Sequence, residues 1–195
     1  MTPPNKPHFH STYEELLITK GCLSFDSNEW LAPYSYCYHP PGTVHGFKSV
    51  VKEETWFISR VGKELDFNFI DKPLKMNPYY IGGKKLDRPW VYHSDILNNV
   101  WQKTDNESSF VLSSDQITGA CSFLLLVESG WSSDSLNKVL LRSEEVFILS
   151  GVLKSDDGHL FSKGSYSFYP PYSKRNKIFC TKKALIYYIL GDKIS

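Results

Sequence analysis

Several absences narrow what this chain does. No apolar run approaches the length of a membrane span. The opening MTPPNKPHFH lacks the apolar core of a signal peptide. A soluble, cytoplasmic protein is therefore expected, with no membrane partner. Net charge is only +1, and the basic pairs Lys84-Lys85, Lys174-Arg175 and Lys182-Lys183 are isolated. Without a basic stripe the electrostatic footprint of a nucleic-acid binder is missing. The four cysteines, Cys22, Cys37, Cys121 and Cys180, form no C-x-x-C pair, which excludes a zinc ribbon and suits reduced thiols. There is no glycine-rich phosphate loop and no Gly-x-Ser-x-Gly elbow. No long stretch has helical period, so very little helix is expected.

What is present is β-rich. At 195 residues, with 41% hydrophobic and 15% aromatic content, the chain can bury a core as one large or two small domains. A shift of 130 lays the chain on itself. Glu14-Glu15-Leu16-Leu17-Ile18 falls on Glu144-Glu145-Val146-Phe147-Ile148, Gly21 on Gly151, Tyr36 on Tyr166, and Pro40-Pro41 on Pro170-Pro171, without a gap. The chain is two versions of one unit. Each alternates short runs such as LLITKG, YSYCYH, VFILSGVL and ALIYYIL with turn residues, as an antiparallel barrel does.

The chemistry concentrates between Pro7 and His45. His8 and His10 are two apart and share one face of a strand. Glu14 follows four positions later, and His45 lies beyond a Pro40-Pro41-Gly42 turn from which it can return antiparallel. Three imidazoles and a carboxylate make a mixed nitrogen and oxygen donor set. Such a set suits one first-row divalent ion, Fe(II), Mn, Ni, Cu or Zn, and disfavours calcium and magnesium.

This pattern resembles the cupin superfamily. His8-x-His10, three residues, Glu14, six residues, Gly21 matches that family's first motif, and Pro40-x-Gly42-x-x-His45 its second. The glycine before His-x-His is absent, and Ser49 stands where the family has asparagine. The resemblance implies an all-β fold of two double-stranded β-helix barrels in one chain. It also implies metal ligation by His8, His10, Glu14 and His45. The nearest likeness is to the cupin-like domain of some bacterial anti-sigma factors.

The expected divisions are a metal-binding unit at 1–70, a connecting segment at 71–105 and a second unit at 106–195. In the second unit, Lys138, Leu140 and Arg175 replace His8, His10 and His45, and only Glu144 persists. That unit is expected to be metal-free, with Arg175 and Glu144 forming either a buried ion pair or a surface one. The first unit has almost nothing before His8, so its opening strands are missing and its edges must be paired. The stretch from Lys63 to Ser109 is one donor. A second copy is the other, and a homodimer is expected.

Of the remaining residues, Glu15 alternates away from Glu14 and is expected to be solvated. His39 reads as a surface residue or a neighbour of the ligands, and His93 and His159 as structural. Tyr36, Tyr38, Phe47 and Trp56, with Phe25, either line a pocket above the metal or form plain core. Arg60 either points inward to an anionic substrate or ends its strand at the surface. Two functions are weighed. One is an enzyme using oxygen on a small molecule, dioxygenase-like, as similar cupins are. The other is a non-catalytic sensory or structural metal-binding module.

Overall fold

The computed structural model describes residues 6–71, 79–81, 87–133 and 139–193. The chain divides into two compact units, Met1–Asn99 and Val100–Ser195. Lys84, Lys85 and Lys138 lie outside the described residues.

The first unit holds β1 (His8–Phe9), β2 (Glu14–Lys20), β3 (Leu23–Ser24), β4 (Tyr36–His39), β5 (Val50–Val51), β6 (Trp56–Val61), β7 (Asn68–Phe69) and β8 (Val91–His93). Its largest sheet runs β6-β2-β4-β8, with β1-β7 and β3-β5 as two-stranded pairs. Strand β2 is buried at four consecutive positions, Glu15 to Ile18, so both of its faces are covered. One face, with Leu16, Ile18 and Cys37, meets Leu23 and Leu31 in the core. The other carries Glu15, against the expectation that Glu15 is solvated. The strand ends in a bulge between Ile18 and Lys20, and Gly21 then turns at φ +76°, where a Cβ would lie 2.4 Å from the Glu54 carbonyl. Only glycine fits there.

The stretch between the repeats does donate a strand. Strand β8 pairs with β4, matching Tyr36 with His93 and Tyr38 with Val91. Among the described residues, the edge of β6 away from β2 has no partner strand.

The second unit holds β9 (Gln102–Lys103), β10 (Glu107–Ser114), β11 (Cys121–Val127), β12 (Glu144–Ser150), β13 (Val152–Ser155), β14 (Leu160–Ser162), β15 (Tyr166–Tyr169), β16 (Ile178–Cys180) and β17 (Ala184–Leu190). They form sheets β15-β12-β17-β11-β10-β9 and β14-β13-β16. Strands β12 and β15 are β2 and β4 moved by 130. The bulge recurs between Ile148 and Ser150, and Gly151 follows at φ +84° with a carbonyl 2.3 Å from its notional Cβ. The repeat is thus structural down to its irregularities. No described helix is long and apolar enough to cross a membrane.

Candidate metal centre

Strands β1 and β2, with the Pro40-Pro41-Gly42 turn, bring the predicted ligands together. His8 in β1 exchanges both backbone hydrogen bonds with His45, at 3.0 and 2.9 Å. The Gly42 N–H donates to the His10 carbonyl at 2.8 Å, which fixes the Pro-Pro-Gly turn beside that histidine. Glu14 opens β2. His8, His10 and His45 are all buried, and their ring centroids lie 4.5 to 5.0 Å apart. Glu14 Oε2 is 3.3 Å from His45 Nε2 and 3.7 Å from His10 Nε2. His8, His10 and His45 form one close trio, and Glu14 joins His45 in a second, so the four predicted residues lie in two trios that share His45.

Each of the three imidazoles is oriented by a backbone carbonyl. His8 Nδ1 meets the Lys6 carbonyl at 2.8 Å, His10 Nδ1 the Asp66 carbonyl at 2.5 Å, and His45 Nδ1 the Thr43 carbonyl at 3.0 Å. A carbonyl only accepts, so each Nδ1 carries a proton, and in the neutral ring that tautomer leaves the Nε2 lone pair free for a metal. This is the outer-shell arrangement of metal-binding histidines. Burial, and then the nearness of His45, lower the His8 pKa to about 4. Burial, and then the nearness of His39, lower that of His45 as well. Burial alone would raise the Glu14 carboxyl, but His39 and His45 beside it outweigh that and hold it well below the usual carboxylate range. Neutral His8 and His45 beside an ionised Glu14 are the protonation states a cation needs.

Of the two readings of His39, surface residue or neighbour of the ligands, the structure supports the second. His39 is buried rather than at the surface, and the ladder places it directly opposite Glu14. Its Nδ1 lies 3.7 Å from Glu14 Oε2 and has no hydrogen-bond partner. Leaving such a group unpaired in the interior costs about 1–3 kcal/mol. Two ligand trios share His45: His8, His10 and His45, and Glu14, His39 and His45. The donor types, their orientation and this orphaned nitrogen all fit a transition metal ion. The signal for His39 was its parity. It alternates away from Tyr38, and Tyr38 faces Glu15, so His39 faces Glu14.

Most of the predicted pocket lies elsewhere. Tyr36 and Tyr38 belong to the Glu15 face, where the Tyr36 hydroxyl donates to Glu15 at 2.6 Å. Arg60 and Arg88 reach the same carboxylate at 3.3 and 3.0 Å, and Arg60 also bonds the Tyr13 hydroxyl at 2.6 Å. Arg60 therefore serves a buried ion pair on the far side of the sheet from the ligands. Trp56 is exposed and donates its indole N–H to Glu54. Phe47 does line a pocket, of about 190 Å³, with Phe25, Val44, Trp90, Tyr92, Asp26, Glu29, His39 and His45. Phe67 closes the opposite side, its ring 5.0 Å from that of His10 and 5.3 Å from that of His8. His93 pairs across the β4–β8 ladder against Tyr36, as a structural residue does. In the second unit, Arg175 bonds Glu144 at 2.7 Å, with both groups mostly buried, so the pair is the buried one.

Neither a protein-family model nor a curated protein sequence matches the chain. Solved structures do. A candidate dioxygenase from Nostoc punctiforme PCC 73102 superposes with a TM-score of 0.79 at 19% identity, over 98% of this chain and 67% of that one. A deletion mutant of Bacillus subtilis oxalate decarboxylase gives 0.59 at 13%, over 97% and 65%. A study of the Mn(II) centres of that same enzyme gives 0.56 at 13%, over 98% and 66%. The chain spans about two thirds of the length of each. With antiparallel sheets throughout, no helix among the described residues and neighbours of this kind, the chain has the cupin fold, built twice.

Proposed function

We propose that this protein is a metal-dependent enzyme that acts on a small molecule with oxygen-using, dioxygenase-like chemistry. The observation that carries this reading is the set of three buried imidazoles whose Nδ1 atoms are tied to carbonyls, leaving three Nε2 lone pairs beside an ionised Glu14. His8, His10, Glu14 and His45 would hold one divalent ion per chain, such as Fe(II), Mn, Ni, Cu or Zn. That ion would supply a Lewis acid and, as iron, copper or manganese, a redox centre.

The chain's own residues would do the rest. Phe25, Phe47, Trp90 and Tyr92 would bind an apolar substrate body against His39 and His45. A space of about 190 Å³ is below the roughly 300–1,000 Å³ of drug-sized sites, which favours a small substrate. Besides His39 and His45, the lining carries two carboxylates, Asp26 and Glu29, and no lysine or arginine among the described residues. Burial of Asp26 is outweighed by the N–H groups of Glu29 and Asn28, which keep it ionised. That lining favours a neutral substrate over a dicarboxylate. The edge of β6, which has no partner strand among the described residues, and the exposed Trp56 and Phe57 on it support a homodimer.

Metal analysis of protein purified without chelators, followed by oxygen uptake of the iron(II)-loaded protein with candidate enols and diketones, tests this reading. Substrate-dependent uptake is expected. Tight zinc with no turnover, and a spectrum indifferent to azide or nitric oxide, would favour the sensory or structural module akin to anti-sigma-factor cupins.

A further inference from the structure

We propose that His39 is a fifth protein ligand to the same ion, binding through Nδ1, so that an octahedral metal keeps one exchangeable position rather than two. This rests on the metal reading above and deepens it.

The argument begins with an asymmetry among the four imidazoles. His8, His10 and His45 each spend Nδ1 on a carbonyl and present Nε2. His39 presents Nδ1, and that nitrogen has no hydrogen-bond partner. Its side chain is 4% exposed. Were Nδ1 protonated, it would donate to Glu14 at roughly 2.7–3.2 Å, yet Oε2 lies 3.7 Å away. Were it bare, a lone pair would confront a carboxylate across that gap. A cation between them resolves both cases.

The spacing agrees. Oε2 of Glu14 is a hub, 3.3 Å from His45 Nε2 and 3.7 Å from both His10 Nε2 and His39 Nδ1. Glu14, His39 and His45 form one trio of mutually close donors, and His8, His10 and His45 form another, so His39 reaches the shared cation from the Glu14 and His45 side. The ring is held in place from both sides, by His45 at 4.3 Å and by the edge of Phe25 at 5.4 Å. It cannot swing away without opening the pocket wall that it forms.

Five protein donors change the substrate class. With one open position, a chelating substrate and dioxygen cannot both bind the ion. The substrate would bind through a single atom, or lie in the Phe25, Trp90 and Tyr92 pocket while a small ligand takes the open site.

The test is pulsed EPR of the full chain loaded with manganese(II), counting bound imidazole nitrogens and, in heavy water, exchangeable waters. The expected result for the wild type is four nitrogens and one water. His39→Phe should give three nitrogens and two waters, with at least tenfold weaker manganese binding. His39→Gln, whose amide oxygen can still bind, should keep one water. Three nitrogens and two waters in the wild type would overturn the proposal while leaving the four-ligand site intact, and this count stands even if a variant fails to fold. Failure of the wild type to bind manganese or zinc at all would overturn both readings.

Discussion

Arg175 stands to Glu144 as His45 stands to Glu14: its Nη1 lies 2.7 Å from Glu144 Oε2, at the positions reached by the shift of 130. The Tyr188 hydroxyl contacts both groups, and Leu140 fills the place of His10 in the buried interior. The second unit has put a fixed guanidinium where the first has room for a cation. Removing one partner strands a buried charge, so Glu144→Gln or Arg175→Met should cost about 3–5 kcal/mol, and the double change to Gln and Met less than the sum. Urea unfolding checks the energies. Bound metal per chain should stay unchanged in all three variants.

Gly46 sets the position of His8. It lies at φ +78°, and a Cβ there would stand 2.6 Å from His8 Cε1 and 2.9 Å from Nδ1. Gly46→Ala should push the imidazole off the Lys6 carbonyl. Losses of metal affinity of about 10–100-fold are typical when a ligand's support is removed, and a drop of that size is expected in a competition assay with a chromophoric chelator. Affinity equal to wild type would show that His8 is not a ligand.

Glu15 has the opposite character from Glu14, although they are neighbours. It is fully buried between Arg60, Arg88 and the Tyr36 hydroxyl, and Arg88 also covers the Tyr38 ring at 4.1 Å. This network ties Arg88, 73 residues away, to the back of β2. Arg88→Met should destabilise the chain by about 3 kcal/mol or more, read as a lower urea midpoint. Metal content should not fall at saturating manganese, because the ligands occupy the other face.

These cases show what the sequence carried and where it stopped. The ligand set and the repeat depend on spacing and residue type, and both are present in the one-dimensional string. Whether a strand's second face meets solvent or another segment is not. Glu15 alternates as an outward face would, and the return of Arg88 over that face, with Arg60 and the Tyr36 hydroxyl beside it, meets its carboxylate there. For His39 the sequence left two readings, surface residue or neighbour of the ligands, for a related reason. Its role follows from the register that sets it across from Glu14, and register depends on how the intervening turn closes. Trp56 looked like pocket wall from its aromatic run, but β6 is an edge strand in the described structure, which leaves its ring at the surface.

The last prediction concerns acid. In the metal-free protein, burial and then the nearness of His45 lower the His8 pKa from 6.5 to about 4. Between those values the unfolded chain takes up a proton that the folded chain refuses, so stability falls as pH drops. At 1.36 kcal/mol per pKa unit the loss from His8 approaches about 3 kcal/mol by pH 4. His45 shifts in the same direction. Glu14, held well below its usual range, adds its own loss below about pH 4.5. Above pH 6.5 these histidines should contribute no slope. A bound ion favours the same deprotonated forms, so acid should also release the metal. Urea midpoints of the apo protein from pH 7.5 to 4.5 are expected to be flat at first and then to fall, with His8→Gln flattening part of the fall. A curve level down to pH 4.5 would mean that His8 does not resist protonation, and would remove the electrostatic support for its place in the donor set.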